Sequence, residues 1–118
     1  MPELPEVETT KRGVEPYLKN QTISFITTRN KNLRIPFNSG LKNKIIKSKI
    51  KNISRRAKYI TLDFANGYSV VIHLGMTGNL RVSKQTNFLK HDHIIFGLSS
   101  KNHLIFNDVR RFGLIQIY

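Results

Sequence analysis

The chain has 118 residues, 39% of them hydrophobic, which suffices for one compact domain and leaves no room for a second full core. Twenty Lys and Arg against seven Asp and Glu give a formal charge of +13, a surplus that favours a polyanion partner over a neutral metabolite. No stretch approaches the roughly 20 apolar residues of a membrane-spanning helix, and the absence of cysteine excludes disulfides and thiolate metal sites within this chain.

The opening MPELPEVETTKRGVEP carries Glu3, Glu6, Glu8 and Glu15 and no apolar run, so it reads as neither a signal peptide nor an Arg-rich transit peptide. A helix is predicted there. Pro5 suits a first helical position, and Glu6 and Glu8 suit a first turn, where the helix dipole favours anions. Val7, Val14 and Leu18 recur on one face, and Pro16 is expected to kink or end the helix early.

Beyond it, short β-branched and aromatic runs broken by turn signals predict strands at Gln21–Thr27, Ile45–Ser54, Tyr59–Phe64, Tyr68–Leu74, Asn79–Ser83, His93–Ser99, His103–Asn107 and Leu114–Tyr118. Ala65-Asn66-Gly67 between two apolar runs is a hairpin signal, and further turns are placed near Lys101-Asn102 and Gly113. The expected fold is mainly β: an antiparallel β-sandwich of about eight strands with one N-terminal α-helix packed on it, residues 1–118 forming a single domain. The last strand runs to the final residue with nothing to cap it, as expected for part of a longer protein.

Pro2 follows the initiator Met1, and a small second residue usually permits removal of that methionine, leaving a free secondary amine. An α-amino group titrates near about 7.7 to 8 against roughly 10.4 for lysine, so far more of it is a usable nucleophile at neutral pH. After attack on a sugar carbon, the resulting iminium has no N–H to lose, stays cationic and acidifies the neighbouring carbon. Glu3 and Glu6 lie within one turn of that amine, close enough to shuttle protons; the simpler reading is that both only cap the helix.

The run Pro2-Glu3-Leu4-Pro5-Glu6-Val7-Glu8 resembles the opening of bacterial formamidopyrimidine-DNA glycosylases. Four later segments match in order: Ser54-Arg55-Arg56-Ala57-Lys58-Tyr59, His73-Leu74-Gly75-Met76-Thr77-Gly78, Lys90-His91-Asp92-His93 and Asp108-Val109-Arg110-Arg111-Phe112-Gly113. The resemblance spans the whole chain. It implies base-excision repair by a bifunctional DNA glycosylase and AP lyase that removes oxidised purines such as 8-oxoguanine and formamidopyrimidines.

Carried onto matching positions, the resemblance makes Pro2 the residue that forms a Schiff base with the deoxyribose and Glu3 the proton donor, with Glu6 supporting. Lys58 would assist β-elimination or hold the phosphate beside the lesion; without the resemblance it would read as part of a solvated charge run. His73 would contact the DNA. Met76, Arg110 and Phe112 would fill the duplex where the damaged nucleotide swings out, recovering part of the few kcal/mol that unstacking costs. The glycines around Met76 favour an exposed turn over an ordinary core methionine. Val109 stands where the family usually has proline, which leaves that loop less rigid. His91 would contact DNA. His91 and His93 point to one face of a strand, but two imidazoles without a further ligand set do not make a structural zinc site, so no metal is assigned.

Full-length members of the family also carry a helix-two-turn-helix element and a four-cysteine zinc finger. Neither is expected in this chain, so its one implied cofactor, a structural zinc, has no place here, and weak or absent activity is expected of these residues alone. The expected partner is double-stranded DNA containing oxidised purines or abasic sites, with no membrane, for a monomer in the bacterial cytoplasm at the nucleoid. Two alternatives remain: a non-catalytic basic nucleic-acid-binding module, and an endonuclease VIII-type glycosylase acting on oxidised pyrimidines.

Overall fold

The computed structural model describes residues 4–29, 33, 35–85 and 87–118. Among these, helix α1 (Leu4–Leu18) is followed by eight strands: β1 (Ile23–Thr28), β2 (Ile50–Arg56), β3 (Tyr59–Phe64), β4 (Ser69–His73), β5 (Gly78–Ser83), β6 (Asp92–Leu98), β7 (His103–Asp108) and β8 (Leu114–Ile117). They form two four-stranded sheets, ordered β1-β6-β7-β5 and β2-β3-β4-β8, and every pairing is antiparallel. This is the expected β-sandwich with its single N-terminal helix.

Alternation along the strands fills the core. Ile60, Leu62, Val70, Ile72, Ile115 and Ile117 of one sheet and Ile94, Phe96, Leu104 and Phe106 of the other are buried in one cluster, each such side chain contributing about 1.5–3 kcal/mol relative to exposure. Val7, Val14 and Leu18 seat α1 in the same cluster, on the face their spacing predicts. The 65–67 hairpin forms as expected: Gly67 has φ +93°, the left-handed conformation that glycine adopts without strain, and Asn66 Oδ1 accepts from Tyr68 N–H at 3.2 Å.

Two expectations are corrected. Pro16 lies inside α1 and does not end it. It sits exposed in the last turn, where its missing N–H costs one bond, while fully buried Leu18 and the Lys19 N–H donating to Glu15 carry the turn past it. Asn20, at φ +67°, then closes the helix. Strand β2 begins at Ile50, not Ile45, because Ser39–Lys44 form a 3-10 helix and Lys47 takes φ +70°. Ile45 and Ile50 are both fully buried, so their apolar signal reflects two core anchors with a turn between them.

Strand β6 is buried along its whole length because both its faces are covered. On the face away from the main core, the Phe25 ring lies over Gly97, where an added Cβ would fall 2.1 Å from it. Phe88 meets His103 edge to face at 6.0 Å, with the Arg29 guanidinium 5.5 Å from the Phe88 ring. Phe88 is thereby held between His103 of β7 and Arg29. Among the described residues no helix is long and apolar enough to cross a membrane.

Candidate nucleic-acid interface

Strand direction gathers several turns at one end of the sandwich. Strand β2 finishes at Arg56, Ala57 and Lys58 turn, and β3 starts at Tyr59 opposite His73, the end of β4. His73 is also opposite Leu114, the start of β8, and Gly78, the start of β5, is opposite Asp108, the end of β7. The turns at 57–58, 74–77 and 109–113 therefore crowd together. The first turns of α1 join them, since Glu8 Oε1 accepts from Arg55 Nε at 2.6 Å.

Pro2 and Glu3 lie outside the described residues; Glu6 is exposed in the first turn of α1. Glu8 accepts from Arg55 and from Arg12 (2.8 Å), and these two guanidinium groups hold its carboxyl below the usual value. Arg55 also donates from Nη1 to the Ala57 carbonyl at 2.8 Å, bracing a turn in which Ala57 has φ +52°. Lys58 is half-buried on that turn.

His73 is half-buried, with its ring 4.8 Å from that of Tyr59. Its Nδ1 accepts from Gly75 N–H at 3.0 Å, which fixes an unprotonated Nδ1. Burial first, and the positive charge of Lys58 second, push its pKa below the ordinary histidine value. Met76, Arg110 and Phe112 are exposed, Met76 at 44% and Phe112 at 43%, and the Arg110 guanidinium lies 5.2 Å from the Phe112 ring. An exposed methionine and an exposed phenyl ring on adjacent turns form an apolar tip within a basic surface.

Sequence reading also left Asp108 and Thr77, at this end, without a role. Asp108 is fully buried; its carboxylate accepts from Thr77 Oγ1 at 2.6 Å and from Gly113 N–H at 2.7 Å. Thr77 Oγ1 in turn accepts from Arg110 N–H at 2.9 Å. The signal that could have found Asp108 is an acid ending an otherwise apolar strand, because a buried carboxylate needs several donors.

His91 is half-buried beside β6, and its carbonyl accepts from Asp108 N–H at 3.0 Å. His91 and His93 rings stand 6.3 Å apart, but His93 is buried and its Nε2 contacts the Asp108 carbonyl, so only His91 faces outward. Asp92, between them, accepts from both Arg81 Nη atoms, from Asn107 Nδ2 and from Leu89 N–H. Among the described residues no group of three or more His, Cys, Asp or Glu is placed to hold a metal ion, and with no cysteine the chain has no ligands for the four-cysteine zinc site implied by the resemblance.

Residues 1–115 match the family described as the formamidopyrimidine-DNA glycosylase N-terminal domain. The chain is 44% identical over its full length to the formamidopyrimidine-DNA glycosylase of Rickettsia bellii and 47% identical to that of Rickettsia canadensis, covering 44% of each. It superimposes with a TM-score of 0.89, at 31% identity, on Lactococcus lactis Fpg in complex with abasic-site DNA, over 99% of this chain and 44% of that one. The chain thus spans less than half the length of the curated relatives it matches.

Proposed function

This chain belongs to the formamidopyrimidine-DNA glycosylase N-terminal domain family, and from that premise we propose that it carries the sugar-attacking part of a bifunctional glycosylase and AP lyase for oxidised purines in DNA. The observation that carries the reading is the convergence of the exposed Met76, Arg110 and Phe112 with Lys58 and His73 at the end of the sandwich reached by the first turns of α1.

In this reading, duplex DNA lies across that end, the basic surface meets its phosphates, and Met76 and Phe112 enter the stack as the damaged nucleotide swings out. The neutral Pro2 nitrogen attacks C1′ as the C1′–base bond breaks; the base leaves with that electron pair and takes up a proton, balanced by the proton that the proline nitrogen gives up. Glu3 protonates O4′ and the sugar ring opens, leaving an iminium between Pro2 and C1′; Glu6 supports the proton exchange. The Glu3 carboxylate left by that transfer takes a C2′ proton, which expels the 3′ phosphate, with Lys58 beside it to neutralise the leaving charge or pass it a proton, and water releases the proline. No step calls on a cofactor within this chain. The substrate is chromosomal, which places the work in the bacterial cytoplasm.

The test is fluorescence anisotropy with two duplexes, one undamaged and one bearing an abasic analogue, across a salt series. This chain alone is expected to bind both with Kd on the order of micromolar and steep salt dependence, several-fold tighter with the abasic analogue. Equal affinity for the two duplexes would replace this reading with a basic nucleic-acid-binding module.

A further inference from the structure

The three exposed side chains sit on two separate turns, and nothing in the covalent chain obliges the turns to move together. The 74–77 turn carries Met76; the 109–113 turn carries Arg110 and Phe112. Val109 lacks the fixed φ that the family's usual proline would bring to the second turn. What joins them is a continuous hydrogen-bonded path. Arg110 N–H donates to Thr77 Oγ1, the Thr77 hydroxyl donates to the Asp108 carboxylate, and Gly113 N–H donates to the other oxygen of the same carboxylate. The path starts and ends on the second turn and passes through the first.

Two further features tighten it. A Cβ at Gly75 would fall 2.7 Å from Gly113 N and 2.8 Å from Phe112 C, so the two turns touch backbone to backbone. Asp108 also engages a third segment through its main chain: its N–H donates to the His91 carbonyl, and its own carbonyl meets His93 Nε2. A carbonyl can only accept, so Nε2 carries the hydrogen. Because Asp108 is 0% exposed, water has little access to its own bonds, and leaving such a buried carboxylate partly satisfied is costly; only the Arg110–Thr77 link lies at the exposed end of the path.

We infer that Asp108 and Thr77 are positioning residues that lock the Met76 turn and the Arg110–Phe112 turn into one unit, so that the three side chains enter the duplex together. Asp108 is fully buried, and the Thr77 hydroxyl is engaged with Asp108 and with the Arg110 N–H, so both act through the turns they join. Their effect lies in removing the cost of ordering two loops at the moment of insertion. The inference rests on the proposed insertion of Met76, Arg110 and Phe112 into the helix.

The test uses this chain, the undamaged and abasic-analogue duplexes and the variants Thr77→Val and Thr77→Ser, below the melting temperature of each and with folding checked by circular dichroism. Thr77→Val, which keeps the shape but removes both hydrogen bonds, is expected to lower the preference for the abasic duplex several-fold with an unchanged salt slope, and Thr77→Ser to retain it. Met76→Ala and Phe112→Ala are then combined in each background. Non-additive effects on the preference with Thr77 present, becoming additive in Thr77→Val, are expected of a single unit. If the single Met76 and Phe112 variants lower the preference but a folded Thr77→Val does not, or if the pair is additive throughout, the locking is overturned while the insertion reading stands. If neither single variant changes the preference, the insertion reading fails and the locking role falls with it.

Discussion

Arg55 on β2 donates to Glu8 on α1 at 2.6 Å, tying the helix that leads from the chain's N-terminus to the turn that presents Lys58. The second arm of the same guanidinium, donating to the Ala57 carbonyl, shapes that turn. One side chain thus links the early part of α1 to the turn that carries the proposed phosphate-binding lysine. Glu8→Gln is expected to lower the melting temperature by a few degrees at neutral pH. Because Arg55 and Arg12 hold the Glu8 carboxyl below its ordinary value, this stabilisation is present above that ordinary value and is lost as pH falls. Thermal scans of both proteins should therefore converge in acid; a constant difference at every pH would contradict the assignment.

His73 should titrate below an ordinary histidine, with burial the larger cause and Lys58 the smaller. A lowered value means the neutral ring is the native form, so its contribution to stability is present above the unfolded value and lost as pH falls through the folded one. Imidazole resonances followed by NMR should show this midpoint. Lys58→Met should raise it part of the way back, since burial persists. An unmoved midpoint in that variant would separate Lys58 from His73.

Asp92 provides the main acid-sensitive element of the outer face. Burial would raise its pKa, but Arg81, Asn107 and the Leu89 N–H together outweigh it and bring the group to about 2. A depressed carboxyl stabilises the fold above its unfolded value and loses that contribution as pH falls toward the folded one, here on the order of 2 kcal/mol between about pH 4 and 2. Denaturant titrations should find Asp92→Asn less stable at neutral pH, with a flatter decline through that window. Equal slopes for the two proteins would rule out Asp92 as the source.

Gly75→Ala should be among the most damaging single-methyl changes in the chain. Gly75 has φ +63°, and the added carbon would meet Gly113 N at 2.7 Å. A loss of about 2 kcal/mol or more is expected in denaturant unfolding, together with loss of the preference for abasic DNA as the two turns are forced apart. Full preference in a folded Gly75→Ala protein would show that their contact is dispensable.

Much of this was legible in the sequence where one local rule decided the outcome. The Asn66-Gly67 hairpin, the helical face of Val7, Val14 and Leu18, and the exposure of Met76 all follow from periodicity or glycine placement. What was not legible depends on contacts between distant segments. Nothing local to Lys47 announces the left-handed backbone that splits the expected strand from Ile45 to Ser54, because both flanking isoleucines are core residues in either conformation. Arg55 reads as one more charge in a basic run until the helix brings Glu8 against it. Asp108 and Thr77 belong to quoted motifs, yet their pairing across 31 residues appears only once β5 and β7 are side by side.

The most direct measurement is borohydride trapping with a duplex bearing an abasic site, which exposes the sugar carbon without any need for base recognition. The sample is first shown by intact mass to lack Met1, since a retained methionine would turn the proline nitrogen into an amide. At concentrations where a gel-shift assay shows the DNA fully bound, a covalent adduct mapped by peptide mass to Pro2 is the expected result. No adduct under those conditions, or an adduct mapped to Lys58 or another lysine, would contradict the proposal that this chain's terminal amine attacks the sugar.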